Sequence, residues 1–243
     1  MDIKLHYIYH SGFAIETEQI IIIIDYYKDS SKAKGIVYNK LLKSKKKLYV
    51  LSTHIHYDHF NPEIFNWKEI NPNIIYVLST DIMESKDCCK KDDAIFLAKG
   101  ESWSSNDCTI EAFGSTDAGI SFAITIDSKK IFHAGDLNNW HWKDESSDAY
   151  IKEAEQFYLS ELEFLKEKYK AFDLVMFPVD QRMQTDYDLG AKQFVENIKV
   201  HYFAPMHFDE HYNEANAFDL VAQKNNANFI KITQPGEEFK LKL

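Results

Sequence analysis

The stretch Ser52-Thr53-His54-Ile55-His56-Tyr57-Asp58-His59 limits what this chain can fold into more than any other part of it. It follows directly on the apolar run Leu48-Tyr49-Val50-Leu51, so its imidazoles and carboxylate are delivered from the end of a β-strand. On an extended segment residues two apart share a side, which aligns His54 with His56. A turn after them lets Asp58 and His59 face a second point. Imidazole nitrogen and carboxylate oxygen are ligands for Zn²⁺, Mn²⁺ and Fe²⁺. A histidine-rich solvated turn is the bland alternative. The fixed spacing directly after a strand favours two adjoining half-sites for metal.

The remainder of the chain predicts a layered α/β architecture. Lys4 to Ile15 alternates, with Gly12 as a bend, and the β-branched run Ile20 to Ile24 reads as a buried strand ending at Asp25. Residues 28–47 predict a loop and a short helix. Asn61-Pro62-Glu63 resembles a helix start. Strands are expected at Ile74 to Leu78, Ala94 to Leu97, Thr109 to Phe113, Ile120 to Ile126 and Lys130 to His133, with a hairpin turn at Asp127-Ser128-Lys129-Lys130. The spacing of Ile151, Ala154, Tyr158, Leu162, Leu165 and Tyr169 predicts a long amphipathic helix. Then follow strand Leu174 to Val179, helix Leu189 to Ile198, strand Tyr202 to Met206, helix Ala215 to Lys224, and strands Phe229 to Ile232 and Glu238 to Leu241. No linker or repeat interrupts this order. The expectation is one domain over residues 1–243, with two β-rich halves and helices outside.

Composition narrows the function. The net charge of −10 argues against nucleic acid as a partner, because such binding needs basic residues to neutralise phosphates. Lys45-Lys46-Lys47 reads as a solvated turn before a strand. No run of about eighteen apolar residues occurs, so no membrane span is expected. The charged, alternating start is unlike a signal peptide, and the expected location is the cytoplasm. Cys88, Cys89 and Cys108 form no disulfide framework and fit reduced thiols. Arg182 is the sole arginine.

Thr-His-x-His-x-Asp-His after a strand resembles the signature of the metallo-β-lactamase-fold hydrolase superfamily. The resemblance implies an αββα four-layer sandwich with a one- or two-metal site at one edge of its paired sheets. It implies ligands at His54, His56, Asp58 and His59. Ile131-Phe132-His133-Ala134-Gly135-Asp136 resembles the motif of the bridging aspartate, which assigns Asp136. Phe203-Ala204-Pro205-Met206-His207 resembles the strand carrying the last ligand, which assigns His207 rather than nearby His211. Asp25 matches an aspartate that supports the site without binding metal, consistent with the need of ligand histidines for a partner on their other nitrogen.

The chain departs from the pattern in Phe113-Gly114-Ser115-Thr116-Asp117-Ala118-Gly119. Ser115 stands where the resemblance expects a further histidine. Asp117 is a candidate replacement; the alternatives are an open, weaker site or a single metal. Around the site, His10, His133, His141 and Asp180 are candidates for holding ligands or lining a substrate pocket. Arg182 suits a carboxylate or phosphate on the substrate. The gathered motifs resemble a bacterial branch nearer the ascorbate-phosphate lactonase-like and phospholipase D-like members than the antibiotic-destroying ones.

The implied activity is hydrolysis of an ester, lactone or phosphodiester of a small substrate by a metal-bound hydroxide, with Asp58 as the catalytic carboxylate. One or two Zn²⁺ ions are expected, with Mn²⁺ or Fe²⁺ as substitutes. Redox di-iron members usually carry a carboxylate where this chain has His56. The competing expectation is a sensor or binding module that holds metal or ligand without turnover.

Overall fold

The computed structural model describes residues 1–31, 35–85, 88 and 91–243. In chain order its strands are β1 (Asp2–Tyr9), β2 (Gly12–Glu16), β3 (Ile20–Ile24), β4 (Lys47–Ser52), β5 (Ile75–Ser79), β6 (Ile95–Leu97), β7 (Ser102–Ser104), β8 (Thr109–Phe113), β9 (Ser121–Ile126), β10 (Lys129–His133), β11 (Ala171–Pro178), β12 (Lys199–Met206), β13 (Asn228–Phe229) and β14 (Glu238–Lys242). The helices are α1 (Thr80–Met83), α2 (Asp148–Lys168), α3 (Leu189–Asn197), α4 (Tyr212–Ala217) and α5 (Asp219–Lys224). One sheet runs β14-β1-β2-β3-β4-β5-β6 and the other β13-β12-β11-β10-β9-β8-β7. This is the αββα sandwich of the metallo-β-lactamase fold.

The five isoleucines of β3 show why the sheets stack this way. Ile20, Ile22 and Ile24 join the large core with Leu5, Tyr7, Phe13, Phe122 and Phe132. Ile21 and Ile23 face the other way, into a second cluster with Val37, Leu41, Ile64 and Trp67. A strand with both faces covered has no polar face to show, which is why its sequence does not alternate. Full burial contributes roughly 2 kcal/mol for each such side chain. On the outer side of the second sheet, α2 contributes Tyr158, Leu162 and Leu165 to the large core.

Strand direction positions the site. β3 through β6 pair in parallel, and so do β10 through β13. The carboxyl ends of parallel strands open onto loops at one edge, where layered folds hold their ligands. Thr53–His59 follows β4, Asp25 follows β3, Asp136 follows β10, Asp180 follows β11 and His207 follows β12. His10 lies in the turn between β1 and β2.

The structure redraws several expected elements. Ser102–Ser104 forms an edge strand whose polar Ser-Trp-Ser sequence carries no strand signal. The helix expected over Ala215 to Lys224 divides at Phe218, whose ring is buried against Phe203 at 4.7 Å. The strand expected over Phe229 to Ile232 shortens to Asn228–Phe229, beyond which Ile230 N still donates to Phe203 O at 2.8 Å. β14 leaves the second half of the chain to pair with β1, from Asp2↔Lys242 to His6↔Glu238. At Asp127 and Ser128, φ is 47° and 66°, as a two-residue hairpin turn requires. The short helix expected within 28–47 is a single wide turn at Val37–Leu41, while residues 32–34 of that stretch lie outside the described residues. Cys88 and Cys108 are free thiols, and Cys89 lies outside the described residues. No helix among the described residues is long and apolar enough to cross a membrane.

Candidate metal centre

The site begins with the backbone that leaves β4. Asp25 Oδ1 accepts from Thr53 N at 2.8 Å and Asp25 Oδ2 from the Thr53 hydroxyl at 2.7 Å. Gly119 and Gly135, both at positive φ, close over Thr53, the first over its backbone and the second over its side chain. A Cβ on Gly119 would come within 2.2 Å of Thr53 O and 2.5 Å of His54 Cβ. His59 N donates to His56 O at 3.0 Å, the turn that separates the first two histidines from Asp58 and His59.

Two groups of candidate ligands result, joined by Asp136. On the inner side, His59 Nε2 is 3.0 Å and His207 Nε2 3.3 Å from Asp136 Oδ1, with Asp58 Oδ2 3.9 Å from His207 Nε2. On the outer side, His54 Nε2 lies 3.3 Å from Asp136 Oδ2 and 3.1 Å from His56 Nδ1, which is 3.5 Å from Asp117 Oδ2. The inner side is buried, whereas the side chains of His56 and Asp117 are 48% and 54% exposed. The Ser115 hydroxyl accepts from Asp117 N at 3.4 Å, within its own turn.

His59 Nε2, His207 Nε2 and Asp136 Oδ1 are buried and make no hydrogen bond, despite their mutual approach. Buried polar atoms left unpaired cost about 1–3 kcal/mol each. Ring nitrogens aimed at one carboxylate oxygen without hydrogen-bond geometry are the arrangement of ligands around a shared cation. The remaining contacts agree. His59 Nδ1 is 2.8 Å from Asp25 Oδ2 and His207 Nδ1 is 2.9 Å from Asp180 Oδ2, so each ring is held from behind by a carboxylate. These histidine and aspartate groups suit a metal ion.

The electrostatics follow from this crowding. Burial alone would raise the carboxyl pKa of Asp136, but His59, His207 and His54 outweigh it and hold the group well below its ordinary value. Burial would lower the His59 pKa, yet the carboxylates of Asp136 and Asp25 push it up to about 10. Asp58, also partly buried, is held low by His10, His59 and His207.

The remaining candidates take different places. His133 is fully buried behind the site; its Nε2 is 2.8 Å from Ser11 O, and its Nδ1 accepts from Gly135 N at 3.2 Å. His141 stands outside the cluster, with Nε2 3.2 Å from Asp186 O and Nδ1 accepting from Lys143 N at 3.1 Å. Arg182 spends much of its fork on Asp180, donating from Nε at 2.9 Å and from Nη2 at 2.6 Å. His10 lies at the centre, its ring centroid 4.2 Å from that of His207. His211 caps α4 and is exposed.

Three further residues bear on the site, and the first, Trp140, belongs to the Asn138-Asn139-Trp140-His141-Trp142 loop that the sequence offers as an aromatic pocket wall. Trp140 donates from Nε1 to Asp136 O at 2.8 Å and lays its ring 5.4 Å from that of His207. Thr116 donates to Asn138 O at 2.6 Å and ties the 114–119 turn to the loop after β10. Asp209 places Oδ1 2.9 Å from His10 Nδ1. An aspartate two residues beyond the expected last ligand was the available clue.

Fold and site together define a protein with the metallo-β-lactamase fold. Among solved structures, the chain is similar to Igni18, a metallo hydrolase from the hyperthermophilic archaeon Ignicoccus hospitalis, with a TM-score of 0.70, 19% identity and 100% of each chain covered. It is similar to the metallo-β-lactamase fold protein YhfI from Bacillus subtilis, with a TM-score of 0.63, 13% identity, and 98% of this chain and 99% of that one covered. It also resembles CmlA, a diiron β-hydroxylase from Streptomyces venezuelae, at a TM-score of 0.66 and 12% identity, covering 99% of this chain and 54% of that one. Comparison with protein-family models and with curated proteins finds no match.

Proposed function

We propose that this chain, acting as one domain over residues 1–243, is a metal-dependent hydrolase of a small ester, lactone or phosphodiester. Its ligands are His54, His56, Asp58, His59, Asp136 and His207, with Asp117 completing the exposed outer side. The observation that carries the reading is the meeting of unpartnered His59 Nε2, His207 Nε2 and Asp136 Oδ1 in a buried space. A mixed set of imidazoles and carboxylates favours zinc, with manganese or iron as substitutes. A divalent cation bound there supplies Lewis acidity and brings the pKa of a water ligand toward neutrality.

The chain's own residues set up the rest. Asp58 stays ionised at neutral pH, because His10, His59 and His207 hold its pKa down against burial. It can accept a hydrogen bond from the attacking water and orient it. Asp25 and Asp180 fix the rings of His59 and His207. Trp140 closes one wall, while exposed Ile55 and Tyr57 offer apolar surface at the mouth. Arg182, half-buried beside His207, adds positive charge that suits an anionic substituent. The acidic balance leaves nucleic acid as an unsuitable substrate. A cytoplasmic location is consistent with this reading.

A second reading rests on the outer side. The Ser115 hydroxyl is engaged with its own turn and Asp117 is exposed, so this half could hold metal too weakly for turnover and leave a binding module. Purified, metal-loaded protein assayed on ester, lactone and phosphodiester panels separates the readings. Hydrolysis that stops on chelation and falls roughly 10²-fold or more in Asp58→Asn supports the hydrolase. Ligand capture without turnover supports the binding module, and oxygen consumption would point to di-iron chemistry instead.

A further inference from the structure

Three imidazoles at this site turn Nδ1 toward a carboxylate. His59 Nδ1 is hydrogen-bonded to Asp25 at 2.8 Å and His207 Nδ1 to Asp180 at 2.9 Å, while His10 Nδ1 lies 2.9 Å from Asp209 Oδ1 without hydrogen-bond geometry. Each ring leaves Nε2 for the interior, where it is buried and makes no hydrogen bond. His10 Nε2 stands 3.4 Å from Asp58 Oδ2. One ligand atom from each of His10, Asp58, His59 and His207 fits in a group whose members all lie within 4.8 Å of one another. A histidine backed by a carboxylate, with its other nitrogen free, is the form that metal-ligating histidines take.

The backbone gives a second, independent reason. His10, Asp25, His207 and Asp209 all adopt positive φ, at 56°, 50°, 64° and 47°. Residues other than glycine, asparagine and aspartate rarely take this conformation, so the cost, on the order of 1 kcal/mol or more, falls chiefly on His10 and His207. The strained turns are tied together, with His207 N donating to His10 O at 3.3 Å. A ring serving only to line a wall gains nothing from a strained backbone, whereas a ring that must reach a fixed point does.

We propose that His10 is a protein ligand of the ion held by Asp58, His59 and His207; this rests on the metal reading above. The inner position then gains an imidazole from the β1–β2 turn while the outer position, with Ser115 in its turn, is left with fewer. The two positions become unequal: one tight and enclosed, one weak and open.

The test uses the full chain loaded with Zn²⁺, Co²⁺ or ¹¹³Cd²⁺. His10→Asn is the variant of choice, because asparagine tolerates positive φ. In a variant that keeps the wild-type circular dichroism, chelator competition should show the first metal bound at least tenfold more weakly. The Co²⁺ absorption bands should shift, and added imidazole should restore them in His10→Gly. Independently of any variant, ¹⁵N NMR of the ¹¹³Cd-loaded wild type should show scalar coupling from the metal to His10 Nε2. Unchanged affinity and bands in a folded His10→Asn, or no coupling to His10 where His59 and His207 show it, would overturn the proposal and leave a buried cation between Asp58 and Asp209. If the wild type takes up no metal at all, it is the metal reading itself that fails.

Discussion

Asp25 Oδ2 receives both the Thr53 hydroxyl at 2.7 Å and Nδ1 of His59 at 2.8 Å. One buried carboxylate thus fixes the backbone ahead of His54 and the ring of His59. Asp25→Asn keeps the shape but has one acceptor oxygen for the three donors that Asp25 receives, Thr53 N, the Thr53 hydroxyl and His59 Nδ1. The first metal should bind roughly 10–100-fold more weakly. Chelator competition against wild type reads this directly, and equal affinity would show that Asp25 does not orient His59.

Gly119 meets the same backbone from the other side. Its φ of +61° and its approach to Thr53 O leave no room for a methyl group. Gly119→Ala should cost about 2 kcal/mol or more in urea unfolding and should disturb metal uptake through His54. Gly100 is the control: it also has positive φ, at +89°, but nothing lies within 4 Å of its added Cβ. Gly100→Ala should cost less and leave metal uptake unchanged.

Acid should destabilise the chain through a network that shares no residue with the candidate ligands. His6 Nε2 is 2.9 Å from Glu16 Oε2, and Lys46 Nζ is 2.7 Å from Glu16 Oε1. Burial raises the Glu16 pKa, but Lys46, His6 and Lys40 outweigh it and bring it from 4.5 down to about 2. Burial also lowers His6 from 6.5. Both folded values lie below the unfolded ones, so the unfolded chain binds more protons as pH falls. The stability these groups supply is complete above pH 6.5; His6 loses its part as pH drops below that value. Glu16 loses its part between 4.5 and 2, on the order of 2 kcal/mol. Urea unfolding from pH 7 to 3 should show Glu16→Gln less stable at pH 7 and with a shallower acid slope than wild type. Identical slopes would remove Glu16 from the account.

Removing metal should expose the cost of the crowded centre. At a free concentration a hundredfold above Kd, an ion that binds only the folded state adds about 2.7 kcal/mol. For a chain of this size, that corresponds to a Tm lower by about 5–10 °C after chelation. Differential scanning calorimetry with and without added Zn²⁺ checks this; a Tm indifferent to metal would count against a buried inner site.

Local chemistry was readable from residue order, and distant partnership was not. Ile20 to Ile24 is one strand because an apolar run with no polar face has to be buried on both sides. Asp127-Ser128 turns because those residues accept positive φ. By contrast, β14 finds β1 across nearly the whole chain, and Ser102–Ser104 is a strand only because β8 pairs with it. The site divides in the same way. His54, His56, Asp58 and His59 stand together in sequence, and their crowding is visible there. The link from Asp209 to His10 is not, because it forms only when the turn after β12 meets the turn after β1. Nor could residue order reveal that Arg182 would be occupied by Asp180, or that His141 would be held by backbone groups instead of facing the centre.

The most direct test of the account is elemental metal analysis, per chain, of protein purified without chelators and again after dialysis against excess Zn²⁺. The account predicts one tightly held divalent ion that survives dialysis against buffer, with a second taken up only at higher concentration. No transition metal before or after reconstitution, in protein with native circular dichroism, would contradict it.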